Sequence, residues 1–222
     1  MAISLLAVSG PEMVGPSSSH TAGALKIGQF ARSCVDFEPE RVEIFLHGSF
    51  GTVYKGHATD RALIAGILGM RVDDENIRNA FEIAKAKPME YTFIPCSLGM
   101  GFHPNTAKIR MYHGEDKFTI IGSSIGGGAI KISNINGFDV NINENEASNY
   151  IVVILHKDFQ GVLTEILASL SDNNNIAAVH SMRMAKTGEV LTIIESDEEV
   201  GERKIASMKQ NHPYINSIFE IK

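Results

Sequence analysis

Cysteine is scarce: 222 residues hold two, Cys34 and Cys96, with no Cys-x-x-Cys pair and no histidine cluster at metal-ligand spacing around either. This chain alone cannot supply four thiolates to an iron-sulfur cluster or to a cysteine-rich zinc site. Positive charge is also in deficit. Lys and Arg number 20 against 26 Asp and Glu, a net charge of −6, which leaves no electrostatic footprint for a phosphate backbone or an anionic membrane. Long apolar runs are missing as well: Met1 to Gly10 lacks a basic flank and runs at once into Pro11 and Glu12, so neither a signal peptide nor a membrane span fits. No nucleic acid and no membrane are expected as partners, and a reduced, cytoplasmic compartment follows.

What is present is an ordinary globular composition. Hydrophobic residues make up 44% and charged residues 21%, which excludes disorder, collagen and coiled coil. The length suits one large domain or two small ones. Glycine divides it: 17 of the 20 fall before residue 148, and only Gly161, Gly188 and Gly201 follow. Charge does not distinguish the parts, at about −3 each. Asn141 to Asn149 is a polar stretch with no sustained apolar period and suits a linker. The expected division is therefore 1–147 and 148–222.

In the second part Tyr150 to His156 is a β-branched run suited to a buried strand, and Gly161 opens a segment with Val162, Leu163, Ile166, Leu167 and Leu170 at helical spacing. Ile176 to Met184 and Val190 to Glu195 read as strands joined by a hairpin turn, Ala-Lys-Thr-Gly. Glu198 to Gln210 reads as a helix and Tyr214 to Ile221 as a last strand. The order is βαββαβ, a ferredoxin-like pattern. With Asp158-Phe-Gln-Gly-Val-Leu163 at the first strand-to-helix turn, this part resembles the ACT family of small-molecule regulatory domains. That resemblance implies effector-binding roles for Asp158, Gly161, Val162 and Leu163. Gln160 departs from the proline that many members carry there.

The first part predicts helices over Ser19 to Cys34, Thr59 to Met70 and Asp74 to Lys85. It predicts strands over Val42 to Leu46, Tyr91 to Ile94, Lys108 to Tyr112 and Phe118 to Ile121. The fold class is α+β.

Four segments carry chemistry. Gly15-Pro-Ser-Ser-Ser-His-Thr21 puts hydroxyls and free N–H groups at a helix N-terminus, a seat for a carboxylate. A helix cap needs one hydroxyl, and Ser17, Ser18, Ser19 and Thr21 exceed that. His47 to Asp60 is a glycine-punctuated loop between a strand and a helix, where sites are usually built. His57 stands at the helix entrance as a candidate base. Gly99-Met-Gly-Phe-His-Pro-Asn-Thr106 is the third. Gly122-Ser-Ser-Ile-Gly-Gly-Gly-Ala129 is the fourth; it lacks the fingerprints of a phosphate cradle, so Gly126 to Gly128 suit a tight turn or a close backbone approach.

Taken in order, Gly-Pro-Ser-Ser-Ser-His-Thr, Gly48-Ser-Phe with Lys55-Gly-His-Ala-Thr-Asp60, His103-Pro-Asn-Thr106 and Ser124-Ile-Gly-Gly-Gly128 resemble the iron-sulfur L-serine dehydratases, the L-serine ammonia-lyases. An N-terminal domain of this type followed by an ACT domain is similar to their β subunit. The resemblance implies a [4Fe-4S] cluster held by a separate α subunit and not by this chain, no metal ligand here, and no pyridoxal phosphate. It implies elimination from L-serine: a base takes the α-proton, the cluster's open iron takes the hydroxyl, and aminoacrylate goes on to pyruvate and ammonia. His57 is then the expected base and His20 a second proton carrier. Ser17, Ser18, Ser19 and Thr21 would hold substrate oxygens, with Lys55, Thr59, Asp60 and Asn105 as further substrate contacts. His47 is given no role, and Phe50-Gly51-Thr52 departs from the usual pattern of small or aliphatic residues with a second hydroxyl. The expected partners are the α subunit and L-serine, with a homodimer when the chain is alone. The same fold also resembles the allosteric substrate-binding domain beside ACT domains in some 3-phosphoglycerate dehydrogenases, which implies a non-catalytic, serine-binding module instead.

Overall fold

The computed structural model describes residues 14–143, 150–185 and 188–221. The apolar opening, the expected boundary near residue 147 and the centre of the Ala-Lys-Thr-Gly turn lie outside them. The protein is α+β with two sheets, and it divides into two compact units, Met1–Glu144 and Asn145–Lys222.

The first unit is built on a six-stranded sheet. Its strands are β1 (Arg41–His47), β2 (Glu90–Cys96), β3 (Thr106–His113), β4 (Asp116–Gly126), β5 (Ala129–Ile135) and β6 (Phe138–Asn143), in the order β2-β1-β3-β4-β5-β6. Strict alternation in β1 buries Val42, Ile44 and Leu46 and leaves Arg41, Glu43 and Phe45 on the other face. Strand β1 runs parallel to β2 and antiparallel to β3. A parallel neighbour requires a crossover, and the crossover carries helices α2 (Gly48–Val53), α3 (Thr59–Ile67) and α4 (Ala80–Lys85).

Helix α1 (Gly23–Ser33) precedes β1 and packs on α3. Two glycines set their separation. A Cβ on Gly66 would lie 2.0 Å from the Leu25 carbonyl oxygen, and one on Gly28 would lie 2.4 Å from that of Leu63. Around this crossing Leu25, Ile27, Leu63 and Ile64 are fully buried.

Several elements differ from the sequence-based expectation. The first helix is a π-helical turn, Ser18–Ala22, continued by α1. The helix expected from Thr59 ends at Ile67, where Leu68 closes it. The helix expected from Asp74 begins as a 3-10 turn, Glu75–Asn79, capped by the Asp74 carboxylate on the Asn76 N–H. Asn79 leaves helical geometry before α4 begins (φ −107, ψ 14), as befits a side chain that competes for backbone hydrogen bonds. Residues 48–53 form a short helix instead of a loop. Strands β5 and β6 are additional to the expected ones, and Asn141 to Asn143 belong to β6 instead of the linker. Gly126 to Gly128 turn the chain between β4 and β5, all three at positive φ.

The second unit has strands β7 (Tyr150–Lys157), β8 (Ile176–Arg183), β9 (Glu189–Ser196) and β10 (Ile215–Ile221), with helices α5 (Val162–Ser171) and α6 (Glu202–Asn211). The element order is βαββαβ and the antiparallel sheet runs β10-β7-β9-β8. Val152, Ile154 and Ile194 from the sheet meet Val162, Ile166 and Leu170 of α5 and Met208 of α6 in one core. Apolar residues on one stripe of each helix and on one face of the strands dictate that arrangement.

Candidate active site

The serine run forms the π-helical turn that leads into α1. Ser17, in extended geometry, is its N-cap: its Oγ accepts the His20 N–H at 3.2 Å, and its carbonyl accepts the Thr21 N–H at 2.8 Å. Capping therefore accounts for Ser17 and leaves the hydroxyls of Ser18, Ser19 and Thr21 to other partners. Ser19 Oγ lies 3.4 Å from Ser17 Oγ and 3.2 Å from His20 Nδ1. Thr21 Oγ1 donates to the His57 carbonyl at 3.1 Å, which ties the turn to the glycine-punctuated segment.

That segment starts at the end of β1. Gly48 has φ +57, and a Cβ there would lie 2.7 Å from Pro104 Cα and from the Pro104 carbonyl oxygen. Only glycine allows both the left-handed backbone and that approach. The Phe50 N–H donates to the same carbonyl at 3.3 Å, so residues 103–105 are fastened to the first turn of α2. Within them Asn105 donates its N–H to His103 Nδ1 and accepts the Ser124 N–H. His47 Nδ1 accepts the Leu98 N–H, a structural role for a histidine to which the sequence assigned none. Phe50 is fully buried, and its ring meets His20 edge-on at 5.4 Å.

The two histidines come together. The rings of His20 and His57 are 5.1 Å apart, centroid to centroid, tilted by 41°. His20 is half-buried; burial first, and then the charge of His57, hold it below the ordinary imidazole value. It is therefore neutral at physiological pH and able to accept a proton. His57 is exposed, and Ala58 after it takes a left-handed conformation (φ +57) that is uncommon for a residue with a Cβ. His20 Nε2 reaches Ser49 Oγ at 3.0 Å, a partner that sequence reasoning missed although Ser49 stands in the motif between Gly48 and Phe50.

The remaining predicted residues spread outward. Thr59 is fully buried and its Oγ1 has no hydrogen-bond partner; Ser124 Oγ is in the same position. Burial, opposed by the Arg61 N–H, raises the carboxyl of Asp60 above the usual range. Lys55 is exposed, its Nζ 5.8 Å from the Tyr54 ring centroid. In the second unit Asp158, Gly161, Val162 and Leu163 all line one cavity of about 310 Å³, with His156, Ser181 and Arg183 among its other walls. Asp158 and Arg183 form an ion pair of 2.8 Å there.

The cysteines do not meet a cluster's needs. Cys34 is buried, its thiol donating to the Phe30 carbonyl, and Cys96 ends β2. Among the described residues no group of three His, Cys, Asp or Glu side chains could hold a metal ion. The described part of this chain therefore does not fit an iron-sulfur cluster as its ligand set. No helix among the described residues is long and apolar enough to cross a membrane.

Two imidazoles and several hydroxyls thus come together beside a helix start. Residues 12–134 match the family model for the serine dehydratase beta chain. The chain is 42% identical to the L-serine dehydratase beta chain of Peptoniphilus asaccharolyticus, over 88% of this chain and 87% of that one. It is 41% identical to the probable L-serine dehydratase beta chain of Bacillus subtilis (strain 168), over 77% of each. L-serine dehydratase 1 of Escherichia coli (strain K12) is 34% identical over 53% of this chain, a stretch that makes up 31% of the bacterial protein. This chain belongs to the serine dehydratase beta-chain family.

Proposed function

We infer that this chain is the β subunit of a two-subunit L-serine dehydratase, which converts L-serine to pyruvate and ammonia in the cytoplasm. Its partner is an α subunit that carries the [4Fe-4S] cluster, as the poor fit of Cys34 and Cys96 supports. Residues 1–147 supply half of the active site. Residues 148–222 form an ACT domain, and Asp158, Gly161, Val162 and Leu163 receive its effector in the cavity they line.

The observation that carries this reading is the approach of His57 to His20 beside the serine turn. An α-proton of an amino acid is a weak acid, so the base must be positioned and the carboxylate held by preorganised donors. His57, on the exposed side, takes the α-proton. His20, neutral and fixed by hydroxyls, is the second carrier of that same proton, relaying it toward the departing hydroxyl, which leaves as water. Ser18 and Ser19, at the start of the turn, hold substrate oxygens, while Thr21 and Thr59, expected to do so too, are buried and Thr21 is committed to the His57 carbonyl; Lys55, Asp60 and Asn105 shape the surrounding wall. Aminoacrylate then tautomerises to the imine, and water releases ammonia and pyruvate.

Anoxic pyruvate formation from L-serine tests this, with the chain alone and mixed with its α subunit. Turnover in the mixture only is the expected result. No turnover in an associated, iron-loaded mixture would overturn it in favour of a serine-binding regulatory module.

A further inference from the structure

Both ring nitrogens of His20 face hydroxyls, and the two hydroxyls come from different elements. Ser19 Oγ is 3.2 Å from Nδ1 and Ser49 Oγ is 3.0 Å from Nε2. Ser17 Oγ extends the series at 3.4 Å from Ser19 Oγ and is itself fixed by the His20 N–H. Ser49 is brought to the ring by the first turn of α2, which the Gly48 approach and the Phe50 N–H lock against Pro104. Its hydroxyl is not used as a helix cap, since His47 is the N-cap of α2 and makes no side-chain cap bond. Thr52 Oγ1 donates back to the Ser49 and Gly48 carbonyls, which stiffens the turn. The buried Phe50 ring beside His20 closes one more side.

Each hydroxyl can donate or accept, so the series has two self-consistent orientations. In one, Ser17 donates to Ser19, Ser19 to Nδ1, and Nε2–H to Ser49, leaving the Ser49 O–H free. In the other, Ser49 donates to Nε2, Nδ1–H to Ser19, and Ser19 to Ser17, leaving the Ser17 O–H free. Passage between them takes in one proton at one end and releases one at the other, with no other change of bonding. A histidine with a hydroxyl on one nitrogen only would be an oriented base; a hydroxyl on each nitrogen makes it a conduit.

We propose that Ser49 is a positioning residue of the elimination, holding His20 Nε2 in place and completing a four-group proton series, Ser17–Ser19–His20–Ser49. This rests on the lyase reading given above. Protonated His20 would donate to both hydroxyls, and a charge-assisted bond is stronger than a neutral one. Removing the Ser49 hydroxyl therefore penalises the imidazolium more than the imidazole. The titratable group facing the ring is His57, whose charge acts in the same direction as loss of the Ser49 hydroxyl.

The test is Ser49→Ala beside Ser49→Thr, read in two ways. In the chain itself, nitrogen NMR of the His20 imidazole should show titration moved to lower pH in Ser49→Ala and restored toward wild type in Ser49→Thr. In the α-subunit complex, Ser49→Ala should lower kcat by about 10²-fold with KM for L-serine little changed. The acid limb of its pH profile should move down, and Ser49→Thr should recover most of the rate. An unshifted His20 titration in Ser49→Ala would overturn the proposal, and so would wild-type turnover despite a shifted titration. An inactive wild-type complex would sink the lyase reading instead, and the imidazole titration would still decide whether Ser49 positions His20.

Discussion

The two units use backbone irregularity very differently. Among the described residues, positive φ occurs at nine glycines and at Ala58 and Asn136 in the first unit, but only at Gly161 and Gly201 in the second. The first unit brings backbones into contact where side chains would not fit, at Gly28 against Leu63 and at Gly48 against Pro104. The second fills its core with β-branched and leucine side chains, and among its described residues positive φ falls only at the two helix starts. The lesson is that the unit that must fix two imidazoles and several hydroxyls to one another spends its glycines on close approach. The unit that forms a regular layered fold has little use for them.

The strongest way to break that contrast is to attack the site itself. His57→Ala should lower turnover in the complex by about 10²- to 10⁴-fold, the usual worth of a positioned base, while the fold and subunit association persist, because His57 is exposed. Anoxic kinetics with analytical ultracentrifugation would check both parts. Full activity would remove the base from His57 and leave His20 as the stronger claimant.

Next comes the backbone contrast. Gly66→Ala pushes a Cβ to 2.0 Å from the Leu25 carbonyl and 2.7 Å from the Gln29 nitrogen, so α1 and α3 must separate, at a cost of about 3 kcal/mol. Gly161→Ala meets nothing within 4 Å and is strained only by φ +91, at a cost of about 1 kcal/mol. Urea midpoints of the two variants should fall in that order. The reverse order would mean that the two helices yield to the added methyl, and that close contact is not what Gly66 secures.

The same contrast governs what is legible in the sequence. The second unit can be read almost element by element, because Tyr150 to His156 and Val162 to Leu170 announce their periods with side chains. In the first unit residues 48–53 contain Gly48, Gly51, Thr52 and Val53, weak helix formers all, and their helix rests on the burial of Phe50 and its bond to Pro104, contacts distant in sequence. The β5–β6 hairpin does carry a signal: Asn136-Gly137 between two alternating runs is a strong hairpin pattern. At the site, the motif residues Ser17, Ser19, His20, Thr21 and His57 do come together. Ser49 could not be singled out, since only the turn of α2 aims its hydroxyl at His20.

The smallest effect expected concerns pH, and it sets the second unit's buried histidine beside the half-buried His20 of the first. His156 is 1% exposed; its Nδ1 meets the Lys157 carbonyl at 2.9 Å and its Nε2 meets Thr192 Oγ1 at 2.8 Å. With Nδ1–H given to the carbonyl, Nε2 accepts from Thr192, which suits the neutral ring. Burial, the largest influence, lowers its proton affinity in the folded state. Above the unfolded-state value of about 6.5 both states are neutral there, and His156 adds no pH dependence. As pH falls below it, the unfolded chain takes up a proton that the folded chain refuses, so stability is lost until the folded value is reached. Wild-type urea midpoints should therefore drop between about pH 7.5 and about pH 5.5, and His156→Gln should drop less. His20, also lowered by burial, contributes to the remaining slope in the first unit. Equal slopes in both proteins would show that the second unit's regular core accepts an imidazolium, and that the difference between the units lies in backbone contact alone.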